Sequence, residues 1–164
     1  FFLLLQYRKV LLHMSDFTKV KKILCPTDFS PPSRKAVDYA CNMAETFGAE
    51  VIIVHVIEPV FSNTFVVYEP SLGSQIQVSM EEGAKENMEI LEKELKGKVR
   101  THITQGRSYH EIIELAKEEK VDLIVIGTHG RTGLSHFLIG STAEKVVRMA
   151  PCPVVTIKAD QEEE

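Results

Sequence analysis

Val51-Ile-Ile-Val-His-Val-Ile57 is apolar at consecutive rather than alternate positions. That is the pattern of a strand covered on both faces in a parallel sheet. The neighbouring segments extend it. Lys22-Ile-Leu-Cys-Pro26 is a shorter apolar run ending at a proline. Val99, Thr101 and Ile103 alternate along a third strand, Val121-Asp-Leu-Ile-Val-Ile126 reads as a fourth, and Val154-Val-Thr-Ile157 as a fifth. Helical signals fall between them. Ser30 caps a helix with Pro31 at its first position; Val37, Ala40, Ala44 and Phe47 line one face, and Gly48 stops it. Ala84, Met88, Leu91 and Leu95 mark one face of a second helix. Ser108-Tyr-His-Glu111 and Ser141-Thr-Ala-Glu144 read as capping boxes opening a third and a fourth. The fourth presents Ala143, Val146, Val147 and Ala150, and ends at Pro151 and Pro153. Residues 58–79, with Pro59, Pro70 and Gly73, read as an irregular connection too long for an ordinary turn, hence functional or mobile. Five strands alternating with four helices predict an α/β domain of three layers around an open parallel sheet. Right-handed crossovers leave two strand orders, 3-2-1-4-5 and 2-1-3-4-5.

The chain has 164 residues, enough for one domain whose core needs no disulfide or metal staple. Hydrophobic residues make up 44% and charged ones 26%, which excludes intrinsic disorder and collagen-like repeats. Nineteen basic against 23 acidic residues give a formal charge of -4. Asp160, Glu162, Glu163 and Glu164 in the tail (residues 159–164) account for that excess. This balance argues against nucleic acid or an anionic membrane as a partner. Cys25, Cys41 and Cys152 have no CxxC spacing, so neither a disulfide scaffold nor a zinc ribbon is expected, and a reducing cytoplasm is the simplest location. No run approaches the length of a membrane span.

The segment richest in chemistry runs from Gly127 through Gly130, Arg131, Gly133 and Gly140 to Ser141 and Thr142. It follows an apolar strand and runs into a helix. Glycines let backbone amides approach a ligand, and a helix start offers free N–H groups at the positive end of its dipole. No Asp or Glu occurs from Gly127 through Ala143; Arg131 is a fixed cation, and His129 and His136 are partial ones. The segment reads as a polyphosphate cradle or, more blandly, as a glycine-rich connection. It is neither a Walker A loop nor a dinucleotide fingerprint. Pro26-Thr27-Asp28, at the end of the first strand, sits where nucleotide-sugar contacts occur in open α/β sheets, or else is a turn before the helix cap. His55 reads as a packed structural histidine, His110 as a surface one, and Cys25 and Cys152 as small core residues.

At this point the chain resembles the universal stress protein family, specifically its ATP-binding branch. The resemblance covers roughly residues 17–158. It rests on Lys22-Ile-Leu-Cys-Pro-Thr-Asp-Phe-Ser30, His55-Val-Ile57, Asp122-Leu-Ile-Val-Ile-Gly-Thr-His-Gly130 and Ala150-Pro-Cys-Pro-Val154. The branch's pattern Gly-x2-Gly-x9-Gly-Ser/Thr is matched by Gly127, Gly130, Gly140 and Ser141. The resemblance implies a Rossmann-like sheet of order 3-2-1-4-5, of the adenine nucleotide alpha hydrolase-like kind, with Asp28 and Gly127 flanking one crevice. It implies that Pro26, Thr27 and Asp28 line the adenosine part and that the Val56 backbone contacts adenine. Ile126 and Gly127 would close over the nucleoside. His129, Gly130 and Arg131 would approach the phosphates, and Gly140, Ser141 and Thr142 would bind them. The implied ligand is ATP, or AMP or ADP, with Mg²⁺ or Mn²⁺ carried on the phosphates. The implied assembly is a homodimer through strand 5.

Residues 1–13 fall outside the family pattern, and Met14 reads as a natural start of the domain at 14–158. The expectation is a cytoplasmic regulatory protein that binds an adenine nucleotide, acts through an unidentified protein partner and hydrolyses slowly or not at all. The rivals are an ATP-hydrolysing or nucleotidyl-transfer enzyme, disfavoured by the lack of an acid/base constellation, and a nucleotide-independent dimeric scaffold, disfavoured by the complete glycine pattern.

Overall fold

The structure is a computed structural model that describes residues 20–59, 70–128 and 139–158. Its elements in chain order are β1 (Lys22–Pro26), α1 (Pro31–Phe47), β2 (Glu50–Ile57), α2 (Pro70–Glu94), β3 (Val99–Gln105), α3 (Ser108–Glu118), β4 (Leu123–Gly127), α4 (Ser141–Met149) and β5 (Val154–Ile157). The strands form one sheet in the order β3-β2-β1-β4-β5. Every neighbouring pair is parallel, with Leu24 opposite Ile52 on one side and Ile124 on the other. This settles the order that the sequence pattern left open. It also makes β1 and β4 neighbours, with β3 and β5 at the edges.

Side chains alternate between faces along each strand, and both faces are covered. Ile23, Cys25, Val51, Ile53, Leu123 and Val125 pack with α1 and with Met88 and Leu91 of α2. Leu24, Ile52, Val54, Ile124 and Ile126 pack on the other face with α3 and α4. Hence β2 carries apolar side chains on both faces. Each fully buried aliphatic side chain contributes roughly 1.5–3 kcal/mol.

Helix α1 has the ends its sequence predicts. Ser30 accepts from the Ser33 amide at 3.4 Å, Pro31 opens the helix, and Gly48 closes it in the left-handed conformation at φ 65°. The other helices depart from expectation. Helix α2 begins at Pro70, so its first ten residues fall inside the segment read as irregular. Ile76, Val78 and Met80 on its early turns are exposed, so no core-facing period marks them. Neither capping box forms. Arg107 and Gly140 hold the N-cap positions of α3 and α4, and no side chain caps either helix from there. Ser108 and Ser141 lie one residue inside, where a hydroxyl no longer has cap geometry. On α4, Ala143 and Val146 are buried, whereas Val147 is exposed. The N-terminal extension, the acidic tail, and His129, Gly130, Arg131, Gly133 and His136 lie outside the described residues.

The amino ends of the strands are tied by charge. Asp122 accepts from the Lys21 and Lys22 amides at 2.8 and 3.0 Å. Glu119, just beyond α3, accepts from Nη1 and Nη2 of Arg100, each at 2.7 Å, and from Lys22 Nζ at 3.1 Å. Arg100 also reaches Glu50 at 2.9 Å.

Candidate functional site

The carboxyl ends of β1, β2 and β4 converge on one open cleft of about 350 Å³, roofed by the first turns of α3 and α4. This is where ligands bind in open α/β sheets. Pro26, Thr27 and Asp28 enter it from β1, Val56 from β2, Ile126 and Gly127 from β4, and Gly140, Ser141 and Thr142 from the start of α4. All the predicted site residues that are described therefore meet in one place; His129, Gly130 and Arg131 fall outside the described residues.

The β1 corner is rigid. The Thr27 amide donates to the Val54 carbonyl at 2.8 Å, and the Thr27 and Ser33 hydroxyls bond each other at 3.1 Å. The Phe29 amide donates back to Thr27 Oγ1 at 3.1 Å. Asp28 Oδ1 accepts the Ser30 amide at 3.1 Å and the Ser30 hydroxyl at 2.5 Å. Phe29 is held at φ 63°, a strained conformation for a bulky residue. Its ring stacks at 4.5 Å on His55, whose Nδ1 donates to the Thr27 carbonyl at 2.8 Å. The acceptor is a carbonyl, so Nδ1 carries the proton. His55 is packed as expected, and it also lines the cleft.

The β4–α4 end has a different chemistry. The Thr128 amide donates to the Ile157 carbonyl at 2.9 Å, and the Gly140 amide donates to the Thr128 carbonyl at 2.7 Å. Strand end and helix start are thereby pinned together. A Cβ at Gly140 would lie 3.2 Å from the Thr128 oxygen, so this close approach suits glycine. The amides of the first α4 turn have no intrahelical acceptor, and their N-cap residue, Gly140, has no side chain to cap them. With the Ser141 and Thr142 hydroxyls they form a donor set suited to phosphate oxygens.

Glu58 lines the same cleft and was not singled out in the sequence. Its Oε1 accepts the Ser108 amide at 3.0 Å. Bonds from Ser108, aided by the charges of Lys145 and Arg107, hold its carboxyl below the usual carboxylate range. The only available signal was its place directly after the apolar strand, within the stretch read as irregular. Ser33, Ser108, Ile112, Thr128 and Ala143 also line the cleft without having been picked. Among the described residues no group of three or more His, Cys, Asp or Glu could hold a metal ion. Also among the described residues, no helix is long and apolar enough to cross a membrane.

Fold and cleft define an open parallel α/β domain with its cleft at the strands' carboxyl ends. The family model of the universal stress protein family matches residues 19–158, and the chain belongs to that family. It is 39% identical over 148 residues to universal stress protein MJ0531 of Methanocaldococcus jannaschii, covering 87% of this chain and 85% of that one. It is 35% identical over 147 residues to universal stress protein YxiE of Bacillus subtilis, covering 84% and 98%. Among solved structures, the MJ0577 protein superposes with a TM-score of 0.76 at 32% identity, over 87% of this chain and 99% of that one.

Proposed function

We propose that this universal stress protein binds ATP or a close adenine nucleotide in the cleft and serves as a regulatory nucleotide-binding dimer of the cytoplasm rather than an efficient enzyme. The observation that carries the reading is the convergence of Asp28, Val56, Gly127 and the glycine-started Gly140–Thr142 turn on one cleft. An apolar floor from Val54, Val56, Ile112 and Ile126 suits a base. The α4 end suits phosphates, and a Mg²⁺ or Mn²⁺ ion would ride on them. Heating the purified protein and identifying the released nucleotide by chromatography tests the reading; a protein that neither carries nor takes up adenine nucleotide would end it.

Dimerisation through β5 is part of the proposal. Ile124 N–H donates to the Pro153 carbonyl and Thr128 N–H to the Ile157 carbonyl. Residues 153, 155 and 157 therefore face β4, while Val154 and Thr156 turn their backbone groups outward. Beside that outer edge, α4 exposes Val147 and Met149. Such an edge invites a second strand, and a two-fold axis would supply it from a second copy.

A further inference from the structure

We infer that Glu58 is a specificity-determining residue of the cleft: its carboxylate already occupies the N-terminus of α3 and so directs the anionic end of any ligand to the N-terminus of α4. The inference deepens the proposed adenine-nucleotide reading and rests on the same cleft. Ser108, at the start of α3, and Ser141, at the start of α4, line one cavity. Each helix start presents unsatisfied amides and a positive dipole end. They differ in what covers them. The α3 end is met by an anion from outside its own helix, with Glu58 Oε1 taking the Ser108 amide at 3.0 Å. The α4 end begins at Gly140, which has no side chain with which to cap it.

Bonds from Ser108 do most to keep Glu58 charged, and Lys145 on α4 and Arg107 before α3 add to them. Lys145 is further held with its Nζ 4.6 Å from the centre of the Tyr109 ring on α3. A phosphate at the α3 end would have to displace Glu58 or sit beside a like charge. At the α4 end it meets amides and hydroxyls, and the first-turn carboxylate there, Glu144, is paired with Arg148 at 3.6 Å. The cleft is thus asymmetric although both of its helix starts are electropositive, and a ligand with one anionic end has one favoured direction in it.

Glu58→Gln tests this, because glutamine keeps an oxygen for the Ser108 amide and removes only the charge. Adenosine, ATP and inorganic tripolyphosphate are titrated calorimetrically into the full-length wild type and variant. The expected result is that ATP and tripolyphosphate bind the variant about threefold or more tightly, as one neighbouring unit charge is removed. Adenosine should be unchanged, and the gain should shrink between about 0.02 M and about 0.5 M salt. A residue that merely caps α3 would shift thermal stability and leave anion affinity where it was. Unchanged or weaker tripolyphosphate binding overturns the inference, as does an equal shift for adenosine or the absence of any anion binding. If the wild type binds tripolyphosphate but neither adenosine nor ATP, and the variant still binds tripolyphosphate more tightly, the adenine reading fails and the role of Glu58 stands.

Discussion

At Gly140 a single hydrogen atom decides what the cleft can hold. The Gly140 amide bonds the Thr128 carbonyl at 2.7 Å, and a Cβ there would lie 3.2 Å from the same oxygen. Gly140→Val would push the α4 start away from β4 and place methyl groups among the Ser141 and Thr142 amides. ATP affinity should fall by about tenfold or more, a loss of about 1.4 kcal/mol or greater. The fold should persist, because Gly140 is only half-buried and outside the core. Calorimetry on the folded variant checks this, and unchanged affinity would remove the phosphates from this turn. At the opposite corner, Asp28 was legible because a carboxylate after a strand and before a helix cap is a recognisable pattern. Glu58 was not, since its importance comes from the Ser108 amide 50 positions away, a contact that no local pattern encodes.

Among the elements, the tie between α3 and the sheet gives a pH dependence with a definite sign. Arg100, then Lys22, hold the Glu119 carboxyl far down, at about 2 against an ordinary 4.5. A carboxylate depressed on folding stabilises the protein above its unfolded pKa, and that contribution is lost as pH falls through the folded value. Stability should therefore decline between about pH 4.5 and pH 2, and Glu119→Gln should flatten that part of the profile. The pairs are solvent-accessible, so an effect of roughly 0.2–1 kcal/mol per pair is expected, read from denaturant midpoints across pH. Edge strand β5 gives a second prediction. Thr156→Pro removes an outward N–H and should weaken the proposed dimer, whereas Val155→Pro would break the ladder to β4 and cost stability instead. Light scattering at micromolar concentration separates them, and a monomeric wild type would end the dimer proposal. The strands were legible from their apolar runs, because burial on both faces leaves an unbroken pattern. The start of α2 was not. Gly73, Ser74 and Ser79 are weak helix formers, and exposed Ile76, Val78 and Met80 give no face to read. The caps of α3 and α4 misled for a related reason. A Ser-x-x-Glu spacing fits the N-cap and the first helical position equally well, and here the serines took the latter.

For the whole molecule, the topology brings β1 and β4 together and makes one cleft out of segments 100 residues apart, with Ile23 opposite Leu123. If that cleft takes a nucleotide, as proposed, fast cleavage is not expected of it. Rapid phosphoryl transfer needs a positioned water, a firmly held metal and charge stabilisation on the transferred group. The α4 amides, Ser141 and Thr142 supply the last of these. Among the described residues the cleft holds two carboxylates, and both are engaged. Asp28 accepts from the Ser30 amide and hydroxyl, and Glu58 accepts from the Ser108 amide. His55, whose Nδ1 proton is committed to the Thr27 carbonyl, is packed under Phe29. On the proposed reading, both described carboxylates are already shared with protein donors, which disfavours rapid turnover. Bound ATP should turn over more slowly than ~1 per second, below the usual range for enzymes. Slow turnover would let the nucleotide persist as a signal that a partner protein could read. Single-turnover measurements with excess protein and Mg²⁺ decide the matter. A rate at or above that threshold would show that the cleft is a catalytic site and that an essential group has been overlooked in it.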